Sequence, residues 1–225
     1  APESRPFDPE YVTGFEAGYR TSGQRHTSAL TLFHMRRFDQ QVDLSSQQTP
    51  GDPNSFVFYT ANASSGSSSG VEVEHRHQPL SGLRLSASLG LLHTHVDPYS
   101  YRTGVGDTVT LGGRAAAHAP RYMYSLNSLY GGERGVSVQV EVTGMEGFYF
   151  SQSHDERAGA HRLVNGHLGF RGDGWSVRLW SRNLLDERYA VRGFFFGLEP
   201  PDYQNRLYVT HGDPRQVGVT LTSSL

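Results

Sequence analysis

The side chains with most chemistry to offer here are histidine, arginine and the aromatics. His75/His77 and His93/His95 stand two residues apart in segments of period two, so each pair shares one side of a strand and could ligate a metal there. Ser151 and Ser153 precede His154, Asp155 and Glu156 in one short stretch, which supplies the residue types of a nucleophile, a base and an orienting acid. Contiguous residues rarely meet triad geometry, which is assembled from separated segments. No G-x-S-x-G, H-E-x-x-H or phosphate-loop pattern accompanies them. With no cysteine, thiolate metal sites and disulfides are excluded. The twenty basic residues are all arginine and face twenty-two acids, a balance that leaves no broad footprint for nucleic acid.

The elements that must carry these groups read as strands. Leu83, Leu85, Ala87, Leu89 and Leu91 alternate with Arg84, Ser86, Ser88 and Gly90, and Val136, Val138, Val140 and Val142 alternate with Ser137, Gln139, Glu141 and Thr143. Phe15, Ala17 and Tyr19 do the same against Glu16, Gly18 and Arg20. Trp175, Val177 and Leu179 repeat the pattern late in the chain, and Val217, Val219 and Leu221 close it. Weaker strands are expected from about His26 to Val42, where Phe33, Met35 and Phe38 blur the phase, and from Phe56 to His77 through the Ser/Gly tract 63–69. Others run up to Tyr130, from Val136 into Phe148, Tyr149 and Phe150, and from Ala160 to Phe170. That makes nine strands, all-β. Short turns are expected at 22–25, 78–82, 131–135 and 171–174, and longer connections at 43–55, 97–119, 151–158 and after Arg182.

Short turns at one end and long loops at the other is the asymmetry of an antiparallel, up-and-down transmembrane β-barrel. Such a barrel shows lipid only alternate residues, so a mean hydropathy of -0.51 is compatible with it. No apolar run of about 18 residues exists to form a transmembrane helix. Any export leader lies upstream of Ala1 or is missing. The phase then assigns faces. The histidine pairs continue the apolar side, near the two membrane interfaces, which favours interfacial anchoring over metal binding. The opposite phase, toward a wet lumen, carries Glu16, Arg20, Glu72, Glu74, Arg76, Arg84, Glu141, Arg178 and Arg182.

Three stretches carry a family resemblance. Asn183-Leu-Leu-Asp-Glu-Arg-Tyr189, followed by a long insert and Gly212-Asp-Pro-Arg215, resembles the N-L-F-D-x-x-Y and G-D-P-R segments at the C-terminus of TonB-dependent outer-membrane receptors, with Leu185 where Phe is usual. NASSGSSSGVEVE, with Asn62 and Gly70, is similar to the family's N-x-G-x-x-x-x-x-G-V-E-L-E strand, and 111–130 to its loop-to-strand passage through A-P. The resemblance implies the C-terminal part of a roughly 22-stranded plugged barrel in the outer membrane of a Gram-negative bacterium. Nine strands agree with a part rather than a whole, because an up-and-down meander of nine cannot close antiparallel. The plug, and with it the segment that engages TonB, lies outside these 225 residues on this reading.

The implied function is TonB-coupled uptake of a scarce ligand, most often a ferric siderophore, less often haem, cobalamin or an oligosaccharide, with neither cofactor nor catalytic residue. Loops on a rigid scaffold hold most binding residues. Arg102, Arg114, His118, His154, Arg157 and Arg206 are therefore candidates to meet an anionic ferric chelate, with Tyr99, Tyr101, Phe194, Phe195, Phe196 and Tyr203 as stacking surface. The lumen charges are candidates to meet the plug or a passing ligand. Two other readings stay open. A stand-alone small barrel, structural or adhesive, requires a sheet that closes on itself. An outer-membrane hydrolase requires Ser, His and an acid or amide in reach at one rim.

Overall fold

The computed structural model describes residues 7–49, 52, 54–102, 106–132, 134–197, 199–201 and 204–223, and all regular structure among them is β-strand. The strands are β1 (Tyr11–Ser22), β2 (His26–Gln47), β3 (Phe56–Leu80), β4 (Leu83–Val96), β5 (Tyr99–Arg102), β6 (Thr108–Leu111), β7 (Tyr122–Tyr130), β8 (Gly135–Met145), β9 (His161–Arg171), β10 (Trp175–Arg182), β11 (Ala190–Phe196), β12 (Arg206–His211) and β13 (Gln216–Ser223). One nine-stranded sheet takes them in the order β1-β2-β3-β4-β7-β8-β9-β10-β13, while β5-β6 and β11-β12 form two separate hairpins. Every pairing is antiparallel. The sheet is open, with β1 and β13 at its two edges.

Register carries the alternation across the whole sheet. On one face Leu83, Tyr130, Val138, Leu168, Leu179 and Val219 lie directly opposite one another from strand to strand. Leu32, Val71, Leu91 and Tyr122 form a second such row. On the other face the rows are polar: Thr27, Arg76, Ser86, Asn127, Glu141 and Asn165 form one. Among the described residues no element packs on the apolar face. Leu89, Leu91, Leu126, Val140, Leu168, Leu179 and Val219 are all exposed, and among the described residues the buried hydrophobic ones are Val96, Tyr99, Phe148, Phe150 and Ala158. A water-soluble domain does not leave a contiguous surface of that extent uncovered. A lipid-facing wall does.

Aromatic rings on strands settle where the partner strand has glycine. Phe33 lies over Gly70, Tyr124 over Gly144 and Trp180 over Gly218, so close that a Cβ on the glycine would fall 2.3–2.5 Å from the ring. Phe33 and Trp180 thereby belong to the polar face, which explains the blurred phase of β2. The Ser/Gly tract lies inside β3 as expected.

Three expectations change. The insert expected at 43–55 is partly strand, since β2 continues to Gln47 and pairs there with Phe56. The loop expected at 97–119 contains the β5-β6 hairpin. The strand expected to run into Phe148–Phe150 ends at Met145. Just beyond that end the chain passes so close to the next loop that a Cβ at Gly147 would meet the Ala158 carbonyl at 2.3 Å, and Phe148 and Phe150 are buried there.

Candidate functional site

Sheet geometry separates two ends. The connections 23–25, 81–82, 131–134 and 172–174 are short and share one end, while 48–55, 97–121, 146–160 and 183–215 are long and share the other. The rim at the long end holds the candidate ligand groups, and the polar face below it holds the candidate lumen charges.

The rim is organised around two small apolar clusters. In the first, Val96 and the buried Tyr99 pack with Val42, Tyr59, Ala61, Tyr101, Leu111 and Ala116. Burial and the neighbouring Tyr101 push the Tyr99 phenol up, with Arg114 opposing. Gly112 and Gly113, both at positive φ, bring the chain back against Asp97 and Pro98. Arg102 stands exposed at the end of β5.

In the second cluster Phe148 meets Phe150 edge-on, and Ala158, Met145 and Ala190 complete it. Arg114 ties the two clusters together. One of its terminal nitrogens, Nη2, donates to the carbonyls of Ser151, Gln152 and His154 at 3.0, 3.1 and 2.8 Å. Its guanidinium also lies 4.1 Å from the centre of the Tyr149 ring, on which Arg157 stacks as well at 4.6 Å. His118 lies against Phe148 at 5.1 Å and His154 against Phe195 at 5.0 Å.

The Phe194–Phe196 run acquires partners within the chain. On the β11-β12 hairpin, Phe195 faces the second cluster, where Gly193 lets Phe150 approach. Phe194 and Phe196 take the other side and contact Tyr208, with Arg192 over Phe194 and Arg206 paired opposite Phe196. The structure thus brings together Arg114, His118, His154, Arg157 and Phe195. It sets Tyr99 and Tyr101 in a neighbouring cluster and leaves Arg102 at a separate tip. Tyr203 lies outside the described residues. Neither Tyr149 nor Tyr208 is among the candidate ligand residues: Tyr149 reads as part of the aromatic end of the strand from Val136, and Tyr208 lies in a strand too short to show a pattern.

The three motif stretches turn out to be clasps. Asn183, 4% exposed and at positive φ, donates to the carbonyls of Glu187 and Asp213 at 2.9 and 3.0 Å and accepts the Glu187 N–H. Asp186 accepts the Arg215 N–H at 2.9 Å. The Tyr189 ring covers Gly212 and stacks on His161. Thus the two ends of the last long connection are stitched together. Asn62 does the same for the start of the chain, donating to the carbonyls of Asp8 and Asp39 at 2.9 and 2.7 Å. Near the A-P passage, Arg121 grips Glu146 bidentately. That contact holds the Glu146 carboxyl below its usual range and raises Arg121.

All nine candidate lumen charges, Glu16, Arg20, Glu72, Glu74, Arg76, Arg84, Glu141, Arg178 and Arg182, lie on the polar face by register. A concavity of about 480 Å³ there is lined by Glu141, Asn165, His167, Arg178, Trp180 and Arg182, among others. Asn165 donates to Glu141 at 3.0 Å and Arg182 stacks on Trp180. The histidine pairs lie on the apolar face, where Ser28 bonds His75 and Ser69 bonds His34. No grouping of three or more potential metal ligands occurs among the described residues. Ser151 bonds Ser153 at 2.8 Å, and neither ring nitrogen of His154 has a hydrogen-bond partner.

An open antiparallel sheet with one bare apolar face, one charged face, short turns and clasped long loops defines a segment of a transmembrane β-barrel wall. The model of the TonB dependent receptor-like β-barrel matches residues 2–184, and the chain belongs to that family. Solved structures agree on the fold. The ferric yersiniabactin uptake receptor FyuA from Yersinia pestis is 20% identical, with a TM-score of 0.74, covering 97% of this chain and 30% of its own. The siderophore receptor PiuA from Acinetobacter baumannii is 14% identical with a TM-score of 0.71, covering 98% of this chain and 29% of its own. The ferripyoverdine receptor of the Pseudomonas aeruginosa outer membrane is 16% identical with a TM-score of 0.64, over 97% and 28%. The chain therefore spans less than a third of these receptors. Family and neighbours alike are receptors and transporters, not enzymes.

Proposed function

We propose that these 225 residues are the C-terminal part of the barrel of a TonB-coupled outer-membrane receptor that takes up a scarce ligand, foremost a ferric siderophore. The observation that carries the reading is the pair of opposed faces on one nine-stranded sheet, bare and apolar on one side and charged on the other, in a chain of this family. The apolar face meets lipid and the polar face lines the lumen, against a plug supplied by other residues of the receptor and moved by TonB. Ligand capture belongs to the long-loop rim. There Arg102, His118, Arg157, Phe194, Phe196 and Arg206 are exposed, so they offer cations and rings to an anionic chelate, while Tyr99, Arg114, His154 and Phe195 hold the loops that present them. The open sheet speaks against a self-closed small barrel, and the lack of a His154 partner against a hydrolytic triad.

The test is uptake. A strain lacking the gene, supplied with a panel of radiolabelled ferric chelates, is expected to lose TonB-dependent uptake of one of them and to regain it on complementation. Unchanged uptake of every ferric chelate would remove iron from the proposal.

A further inference from the structure

The apolar face changes character on three adjacent strands at the same height. Toward the long-loop end, Leu30 and Leu32 on β2 give way to His34 and Arg36, Val73 and Val71 on β3 to Ser69 and Ser67, and Leu89 and Leu91 on β4 to His93 and His95. Register sets the new residues side by side. His34, Ser69 and His93 form one row, and Arg36, Ser67 and His95 form the next. Serine is the short side chain in both rows, so β3 makes the floor of a trough walled by His34 and Arg36 on one side and by His93 and His95 on the other. The Ser/Gly tract and the second histidine pair, which ligand capture at the rim leaves unused, meet in this one place.

The trough is rich in hydrogen-bond donors. Arg36 is exposed, enters none of the ion pairs among the described residues and lies over the Phe38 ring at 5.4 Å. His34 Nδ1 and the Ser69 hydroxyl share a hydrogen bond of 2.8 Å, and His93 is exposed. Asp97 is the acid at this patch, 3.6 Å from His95 Nε2. It leaves Arg36, His34 and His93 without a carboxylate among the described residues. Directly below, the row of Leu32, Val71 and Leu91 continues the bare wall, with both leucines exposed. From Leu83 to this switch β4 runs about nine residues, the span of one hydrocarbon core, so the trough stands at the level of lipid headgroups.

Donors above and hydrocarbon below select an amphiphile. A guanidinium fork, imidazole N–H groups and hydroxyls match the oxygens of a phosphate, and acyl chains match the leucine and valine rows. A soluble anion would satisfy only the upper half, and an uncharged lipid only the lower. We propose that this trough binds a phosphorylated lipid of the outer leaflet, its phosphate held by Arg36, His93 and His95 over Ser67 and its chains laid along Leu32, Val71 and Leu91. The proposal rests on the lipid-facing reading of this face and not on which ligand the receptor takes up.

The experiment uses the whole receptor that contains this chain, otherwise free of cysteine, in phosphatidylcholine bilayers, with folding of every variant checked by heat-modifiable electrophoretic mobility. The substitution A17C, directly opposite Leu32 on β1, carries a bimane fluorophore. The probes are phosphatidic acid and phosphatidylcholine, each spin-labelled on an acyl chain so that contact quenches the fluorophore. Half-quenching by phosphatidic acid is expected at a mole fraction at least about tenfold below that of phosphatidylcholine, and R36Q/H93Q/H95Q is expected to bring the two together. R134Q, at the short-turn end and paired with Asp173 at 2.6 Å, is expected to keep the preference. Equal quenching by the two lipids in the parent, or a preference that survives in the triple variant, overturns the site and leaves the lipid-facing wall standing. No quenching by either lipid overturns both. Loss of the preference on adding inorganic phosphate, but not sodium chloride of equal ionic strength, assigns the trough to a free anion and overturns the lipid site.

Discussion

Asn183 shows what the motif residues are for. Its side chain spends both donor and acceptor on backbone groups of 187 and 213, so the last long connection starts and ends at one point of the rim. N183A leaves those backbone groups unpaired in a nearly buried site, and a loss of about 1–3 kcal/mol is expected. Chemical unfolding in detergent measures it, and an unmoved midpoint would show the clasp to be decoration. The Arg121–Glu146 pair behaves differently because acid can break it. Glu146 titrates below its ordinary value in the fold, so its contribution is complete above the usual carboxylate range and disappears as pH falls through the lowered value. Acidification from about pH 7 to about pH 3 is therefore expected to cost the parent more stability than E146Q. Parallel curves for the two proteins would refute that sign.

Such residue roles were only half legible in the sequence. The motifs were visible as resemblances, but nothing in Asn-Leu-Leu-Asp says that the asparagine folds back on a segment thirty residues away. Likewise, Arg114 reads from sequence as a cation for a ligand, and register alone brings its guanidinium to three loop carbonyls. The Phe194–Phe196 run reads as an unpartnered patch until β12 supplies Tyr208 beside it.

At the scale of strands, period-two alternation marked the clearest members of the sheet, such as 83–91 and 136–142, while the blurred ones were placed by the turns around them and by the family resemblance. Alternation was not enough where a large ring faces the polar side. Phe33 and Trp180 break the pattern, and the reason lies on the partner strand, in Gly70 and Gly218. Replacing either glycine with valine is expected to displace the ring and destabilise the sheet by about 1–3 kcal/mol. The same change at Gly90, with open space around its would-be Cβ, is the comparison that should stay near neutral. Equal effects at Gly70 and Gly90 would mean the ring contact is not the cause. Charge on the apolar side is a harsher change: L89R puts a guanidinium mid-strand on the bare face, where about 2–4 kcal/mol is the expected penalty in a bilayer. Membrane insertion of L89R as efficient as that of the parent would count against a lipid-facing Leu89. Hairpins within long loops, β5-β6 and β11-β12, escaped the alternation because their strands are only four to seven residues long.

At the scale of the molecule, β1 and β13 point the same way at opposite edges of an open sheet. Closing that wall with antiparallel neighbours takes an odd number of further strands, and an unclosed edge in lipid leaves backbone groups unpaired at several kcal/mol each. This geometry, together with the coverage of under a third of FyuA, fits a chain that forms part of a wall.

Everything proposed for this sheet requires its two faces to meet different solvents. The absence of cysteine makes the decisive measurement direct: single cysteines at each position from Val136 to Thr143 on β8, spin-labelled in bilayers, read for accessibility to oxygen and to a water-soluble nickel chelate. Oxygen accessibility is predicted to peak at Val136, Val138, Val140 and Val142 and chelate accessibility at Ser137, Gln139, Glu141 and Thr143. Accessibility that fails to alternate, or valines shielded from both reagents, would contradict it.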